Sequence, residues 1–286
     1  MAKQRRFIQC DVFTPYPTKG NALAVVIDGE GLSDDAMKSF ARWTNLAETT
    51  FLFPPETDQG DYRVRILTPS REMPFAGHPT LGSCASWLHV GGKPKQAGVV
   101  RQECGVGIVE IDISADVPAF IAPPTEIQAM AFAKFAELTA KLNINPEHVV
   151  QYAVLNNGPE WHVFELQSAQ QVLAVDASLV RWPSEKAIGL IGPYNESNNH
   201  QDLCDFEVRM LAPSSGMSED PITGSLNSAL AHWRLHNGEL DNPIVVAQGT
   251  NIDRHGRVYI TPNPSIAGQA SIGGQTHILI EGMVEI

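Results

Sequence analysis

The chain repeats itself at half its length, and that constrains its fold more than any other feature. "VRILTPSREM" from Val64 lies over "VRMLAPSSGM" from Val208 at an offset of 144, with valine, arginine, leucine, proline, serine and methionine in register. Further on the offset slips to 142, where "HPTLGS" from His78 lies over "DPITGS" from Asp220, as if the second copy had lost two residues of a loop. "VVRQ" at Val99 then matches "VVAQ" at Val245, and each leads through a glycine turn to a strand, "IVEIDI" or "VYITP". Three matches in one order point to a tandem duplication and hence to two similar domains. The proline-rich "APPTE" at 122–126 is the expected linker, giving domains 1–123 and 124–286.

Each copy mixes α and β. "NALAVVID", "ETTFLF", "YRVRILTP" and "HVFEL" have the β-branched and aromatic content of strands. "SDDAMKSFARW" has an N-cap serine, acidic residues in its first turn and Met37, Phe40 and Ala41 at helical spacing. "HPTLGSCASWLHV" predicts a buried helix stopped at Gly91-Gly92, and "DPITGSLNSALAHWRLHNG" a second one ending at Asn237-Gly238. "EIQAMAFAKFAELTAKL" opens the second half as an amphipathic, core-packing helix with Met130, Phe135, Leu138 and Leu142 on its apolar face.

Composition excludes several classes. A formal net charge of -12 argues against nucleic acid, which is bound through clustered Lys and Arg. The basic start at Lys3, Arg5 and Arg6 is interrupted by Gln9 and Asp11 before a signal sequence could form, and no run is long enough for a membrane span. Four cysteines without a C-x-x-C pair suit a reducing, cytoplasmic setting. His232 and His236 are four apart on a predicted helix, but "HWRLH" lacks the internal glutamate of a zinc protease and a third ligand, so a solvated helix face is expected and no metal.

In each copy a strand, a loop and a small-residue helix follow one another. Helix N-termini present unpaired N–H groups, and glycine lets a ligand approach them closely. Two such ends, with Gly77 in one and Gly224 and Ser225 in the other, would hold a carboxylate in a cleft between the domains. His78 and Asp220 stand at matched places in these turns; taken singly, a turn role for His78 and an N-cap role for Asp220 are the plainer readings. Glu48 in "NLAETTFLF" lies among apolar residues between a helix and a strand, where partial burial would suit it to acid–base work. The plainer reading pairs it with Arg42 or Arg65, or has it cap the strand entry.

With "DVFTPYPTKGNALAVV", "NLAETTF", "RILTPSREMPFAGHPTLG", "NNGPEWHVFEL" and "RMLAPSSGMSEDPITGS" in order, the chain resembles the phenazine-biosynthesis PhzF-like family, of the diaminopimelate epimerase-like fold. Ala47 replaces the family's usual serine. The resemblance implies an α+β fold of two pseudo-twofold-related domains, each a curled β-sheet around a central helix, and a homodimer; whether the final strand crosses to the first domain is left open. It implies Glu48 as the acid/base, His78 and Asp220 as assisting residues, and Gly77, Gly224 and Ser225 on the substrate carboxylate, with no cofactor. The family's best-known reaction isomerises a dihydro-hydroxyanthranilic acid, so the expected substrate is a small unsaturated carboxylic acid. Two other readings stand beside this one. The first is a two-cysteine epimerase or racemase, disfavoured because Ala76 and Asp220 occupy the places its thiols would need. The second is a non-catalytic carboxylate binder or scaffold on the same fold.

Overall fold

In the computed structural model, which describes residues 2–195, 203–214 and 217–286, the chain divides into two units. The first comprises Met1–Ile121 with Gly273–Ile286, and the second Ala122–Ile272. Ser215 and Gly216, part of the second "APSSGM" motif, lie outside the described residues.

The first unit runs β1 (Gln4–Val12), β2 (Asn21–Val26), α1 (Asp34–Thr44), β3 (Glu48–Phe53), β4 (Tyr62–Leu67), β5 (Glu72–Met73), α2 (Gly77–His89), β6 (Val99–Cys104), β7 (Gly107–Asp112) and β8 (Ala119–Ile121). The second runs β9 (Glu126–Gln128), α3 (Phe132–Lys141), β10 (Val149–Asn156), β11 (Glu160–Leu166), α4 (Ala169–Ala174), β12 (Ile188–Pro193), β13 (Phe206–Leu211), β14 (Glu219–Asp220), α5 (Gly224–Asn237), β15 (Ile244–Gln248), β16 (Gly256–Pro262) and β17 (Ala270–Gly273). The last strand, β18 (Thr276–Glu285), returns to the first unit and pairs antiparallel with β1.

The ladders show the duplication directly. In the first unit β1–β2 is antiparallel, β2–β3 parallel, β3–β4 antiparallel, β4–β6 parallel and β6–β7 antiparallel. In the second, β10–β11, β11–β12, β12–β13, β13–β15 and β15–β16 repeat that series in the same order. The parallel pairs are bridged by helices, as parallel strands require: α1 and α4 cross from β2 to β3 and from β11 to β12, and α2 and α5 cross from β4 to β6 and from β13 to β15. Helix α2 touches β1, β2, β3, β6, β8 and β18, so the first sheet curls around it.

Local chemistry explains these elements. Ser33 caps α1, its Oγ accepting from the Ala36 N–H, and Asn45 ends the helix in the left-handed conformation (φ 52°). Helix α2 is buried on most sides, and Gly82 is what lets it approach the sheet: a Cβ there would meet Leu23 at 2.6 Å and Val12 at 2.9 Å. In the second unit the room is made from the strand side, where a Cβ on Gly189 of β12 would meet Leu226 of α5 at 2.8 Å. Gly238 ends α5 at φ 71°.

Two expectations are corrected. The predicted helix from Glu126 is shorter than its apolar pattern suggests: Glu126–Gln128 pairs as β9 with β10, and the helix begins at Phe132. Met130, Phe135, Leu138 and Leu142 are nonetheless all buried in one core. His232 is not simply solvated, since its Nε2 lies 3.3 Å from the Ala122 carbonyl. Among the described residues no helix is long and apolar enough to cross a membrane.

Candidate active site

The strand geometry overturns the register in which His78 matched Asp220. Ile66 and Leu67 of β4 pair with Met73 and Glu72 of β5, and Met210 and Leu211 of β13 pair with Asp220 and Glu219 of β14. Glu72 therefore lies over Glu219, Met73 over Asp220 and Gly77 over Gly224, an offset of 147; the second loop is longer by three residues, not shorter by two. The arginines agree. Arg65 Nε and Nη2 donate to the two oxygens of Glu72 (2.7 and 2.6 Å), and Arg209 makes the same fork with Glu219 (3.0 and 2.6 Å). His78 thus corresponds to Ser225, and Asp220 to a methionine. Nor is Asp220 an N-cap: it sits in a strand, Thr223 precedes α5, and His78 lies inside the first turn of α2.

The first unit brings two of the expected residues together. Glu48 opens β3, and its Oε2 lies 3.4 Å from Nε2 of His78. Arg65, offered by the plainer reading as a partner of Glu48, is engaged by Asp34 and Glu72. The His78 side chain is 6% exposed, and burial pushes its pKa down to about 3, so the imidazole is neutral near pH 7. Its Nδ1 faces the amide Nδ2 of Asn21, the first residue of β2, at 3.4 Å. An amide donor there assigns the ring proton to Nε2, on the side of Glu48. At 3.4 Å the His78–Glu48 contact is not yet a hydrogen bond, and among the described residues Nε2 makes none elsewhere. Gly77 and His78 start α2, and the residue before them, Ala76, provides no side-chain cap. The N–H groups of that first turn are therefore not covered by a capping oxygen.

The second unit holds the other three. Asp220 retains some exposure as a residue, yet desolvation of its carboxyl raises its pKa to about 6 against the opposing hydrogen bond from Thr223. The Thr223 hydroxyl donates to Asp220 Oδ2 instead of capping α5, so the helix start at Gly224 and Ser225 also lacks a side-chain cap. Asn157 braces this start: its Nδ2 donates to the Ser225 carbonyl (2.8 Å) and its Oδ1 accepts from Trp161 Nε1 (2.9 Å). Gln248, wholly buried on β15, reaches the same turn.

Asn21, Thr223 and Gln248 stood inside matched motifs without a role being read for them. Their signal is contact across strands and turns, which spacing does not carry. Two of the cysteines, by contrast, are removed from acid–base work: Cys10 and Cys84 are buried against the helix–sheet packing, and burial pushes both thiols up to about 12.

The family model for phenazine biosynthesis-like proteins (PhzC-PhzF) matches residues 10–282. The chain is 31% identical to the Schizosaccharomyces pombe protein named antisense-enhancing sequence 1, over 98% of both chains. It is 30% identical to the trans-2,3-dihydro-3-hydroxyanthranilate isomerase of Pseudomonas aeruginosa, over 89% of each. A solved Bacillus anthracis structure of the PhzF family superposes with a TM-score of 0.83 at 21% identity, covering 99% of this chain and all of that one.

Proposed function

The chain belongs to the phenazine biosynthesis-like (PhzC-PhzF) family, and on that premise we propose that it is a cofactor-independent isomerase that shifts a proton within a small unsaturated carboxylic acid of the dihydro-hydroxyanthranilate class. The observation that carries the reading is the facing pair of Glu48 and a buried, neutral His78, its second nitrogen turned to an amide. Such a shift needs one base able to take a proton from a carbon beside a double bond and return it at another carbon as the double bonds move. No atom is gained or lost. Glu48 is that base. The Nε2–H of His78 steadies the carboxylate, and a contact of 3.4 Å is the kind that tightens when substrate fills a site.

Each uncapped helix start, Gly77 in the first unit and Gly224 with Ser225 in the second, offers N–H groups suited to a substrate carboxylate, and Ser225 adds a hydroxyl. Asp220 is assigned an assisting role: with a pKa of about 6 it both accepts and releases a proton close to neutrality.

The test is NMR in D2O with trans-2,3-dihydro-3-hydroxyanthranilate, comparing the wild type with Glu48→Gln. The wild type is expected to isomerise the acid with deuterium entering at carbon, and Glu48→Gln to slow this by about 10²–10⁴-fold. If neither protein turns the acid over and the substitution changes only the affinity for carboxylates, the chain is a binder and the isomerase reading fails.

A further inference from the structure

The turn before α5 contains a hydrogen-bond chain whose direction is determined at every step. The amide of Gln248 accepts at Oε1 from the backbone N–H of Thr223 (3.0 Å) and from Nδ2 of Asn227 (2.9 Å). A backbone N–H can only donate, so Oε1 must be on that side and Nε2 on the other. Nε2 then donates to the Thr223 hydroxyl oxygen (2.9 Å). With its lone pair so engaged, the hydroxyl turns its own proton to Asp220 Oδ2. Gln248 and Asn227 are fully buried, so water does not compete for these groups.

The other copy of the repeat shows what the chain of bonds is for. Gln102, the matching glutamine, accepts from the Tyr62 hydroxyl (2.8 Å) and donates to Thr80 within α2 (3.0 Å). There the glutamine braces a helix, and no carboxylate follows, because Met73 stands where the second copy has Asp220. Only the copy with an aspartate has a threonine directly ahead of its helix; Ala76 stands at that place in the first.

We infer that Gln248 and Thr223 are positioning residues forming a one-way relay, which holds Asp220 as a hydrogen-bonded anion at Oδ2 and directs its proton exchange to Oδ1. This rests on the acid–base role proposed for Asp220 but is read separately from it. Among the described residues the neighbouring charge is Glu219, itself held by Arg209; Met210 opposite Asp220 on β13, Gln248 on β15 and Thr223 ahead of α5 carry none.

The experiment follows the Asp220 carboxyl carbon through a pH titration by NMR of 13C-aspartate-labelled full-length protein, with Asp220→Asn to assign the signal. Thr223→Val keeps the shape and removes the hydroxyl, and the Asp220 midpoint is expected to rise by about one pH unit. Thr223→Ser should restore the wild-type midpoint. Gln248→Glu replaces the donor facing Thr223 by an acceptor, draws the hydroxyl proton away from Asp220 and should raise the midpoint as well. Where Gln248→Glu does not fold, the valine and serine variants decide alone. An Asp220 midpoint unmoved in Thr223→Val, or raised equally in Thr223→Ser, overturns the relay. Shifts as expected in a protein that leaves trans-2,3-dihydro-3-hydroxyanthranilate unchanged, and in which Glu48→Gln changes only the affinity for carboxylates, would uphold the relay and remove the isomerase reading. Turnover with an unmoved midpoint would do the reverse.

Discussion

Glu207 shows what burial does to one carboxyl outside the site. It is wholly buried on β13, and burial pushes its pKa up to about 7, against donation from Tyr194 (2.7 Å) and Thr250 (3.0 Å) and the nearby Arg257 charge. Between its ordinary value of 4.5 and about 7 the folded chain holds a proton that the unfolded chain has released. Stability contributed by this group is therefore present below 4.5, falls as the pH rises through that window and stays low above it. Glu207→Gln should remove that slope and stabilise the protein at pH 8 by up to about 3 kcal/mol. Urea unfolding of both proteins at pH 4.5 and pH 8 checks it. His78 works in the opposite sense, losing stability as the pH falls from 6.5 to about 3, so the difference between the two proteins is the quantity to read. Equal gaps at both pH values would mean that folding leaves the Glu207 pKa at its ordinary value.

At the level of elements, the two copies use one arginine–glutamate fork in different surroundings. Arg65 joins β4 to β5 near the surface and also holds Asp34 at the start of α1. Arg209 joins β13 to β14 in the interior, 2% exposed, and donates to the carbonyls of Val172 and Val175 at the end of α4. The same substitution should therefore have unequal costs. Arg65→Met is expected to cost no more than about 1 kcal/mol, because exposed pairs are screened. Arg209→Met leaves Glu219 as an uncompensated buried charge and takes the arginine donor from the Val172 and Val175 carbonyls, for about 3–5 kcal/mol. Denaturant midpoints of the two variants give the comparison, and similar losses would show that burial is not what distinguishes them.

For the whole molecule, the chain path matters more than any single contact. The first unit is not continuous in sequence, because β18 arrives from beyond the second unit and pairs with β1 from Gln4↔Glu285 to Val12↔Thr276. Without it, one edge of β1 would present unpaired N–H and C=O groups along its full length. Deleting residues 273–286 should leave a protein that aggregates or unfolds at lower denaturant, and adding a peptide of those residues should recover part of the loss. Circular dichroism melts of the shortened chain, with and without the peptide, test this. A shortened chain as stable as the intact one would reduce β18 to an appendage.

Much of this was legible in the amino-acid order: that the chain is duplicated, where most of its strands and helices lie, and that "SDDAMKSFARW" opens with a serine cap. These are properties of local spacing and composition, which a one-dimensional string preserves. The relation between the copies beyond their loops was not legible, because "HPTLGS" and "DPITGS" share proline, glycine and serine whichever proline is matched. The hydrogen-bond ladder and the paired Arg–Glu forks chose the other proline and moved Asp220 from opposite His78 to opposite Met73. The contacts of Asn21 with His78, and of Gln248 with Thr223, also belonged to the tertiary structure alone. They join residues 57 and 25 positions apart, and only the curl of a sheet around a helix brings such residues within reach.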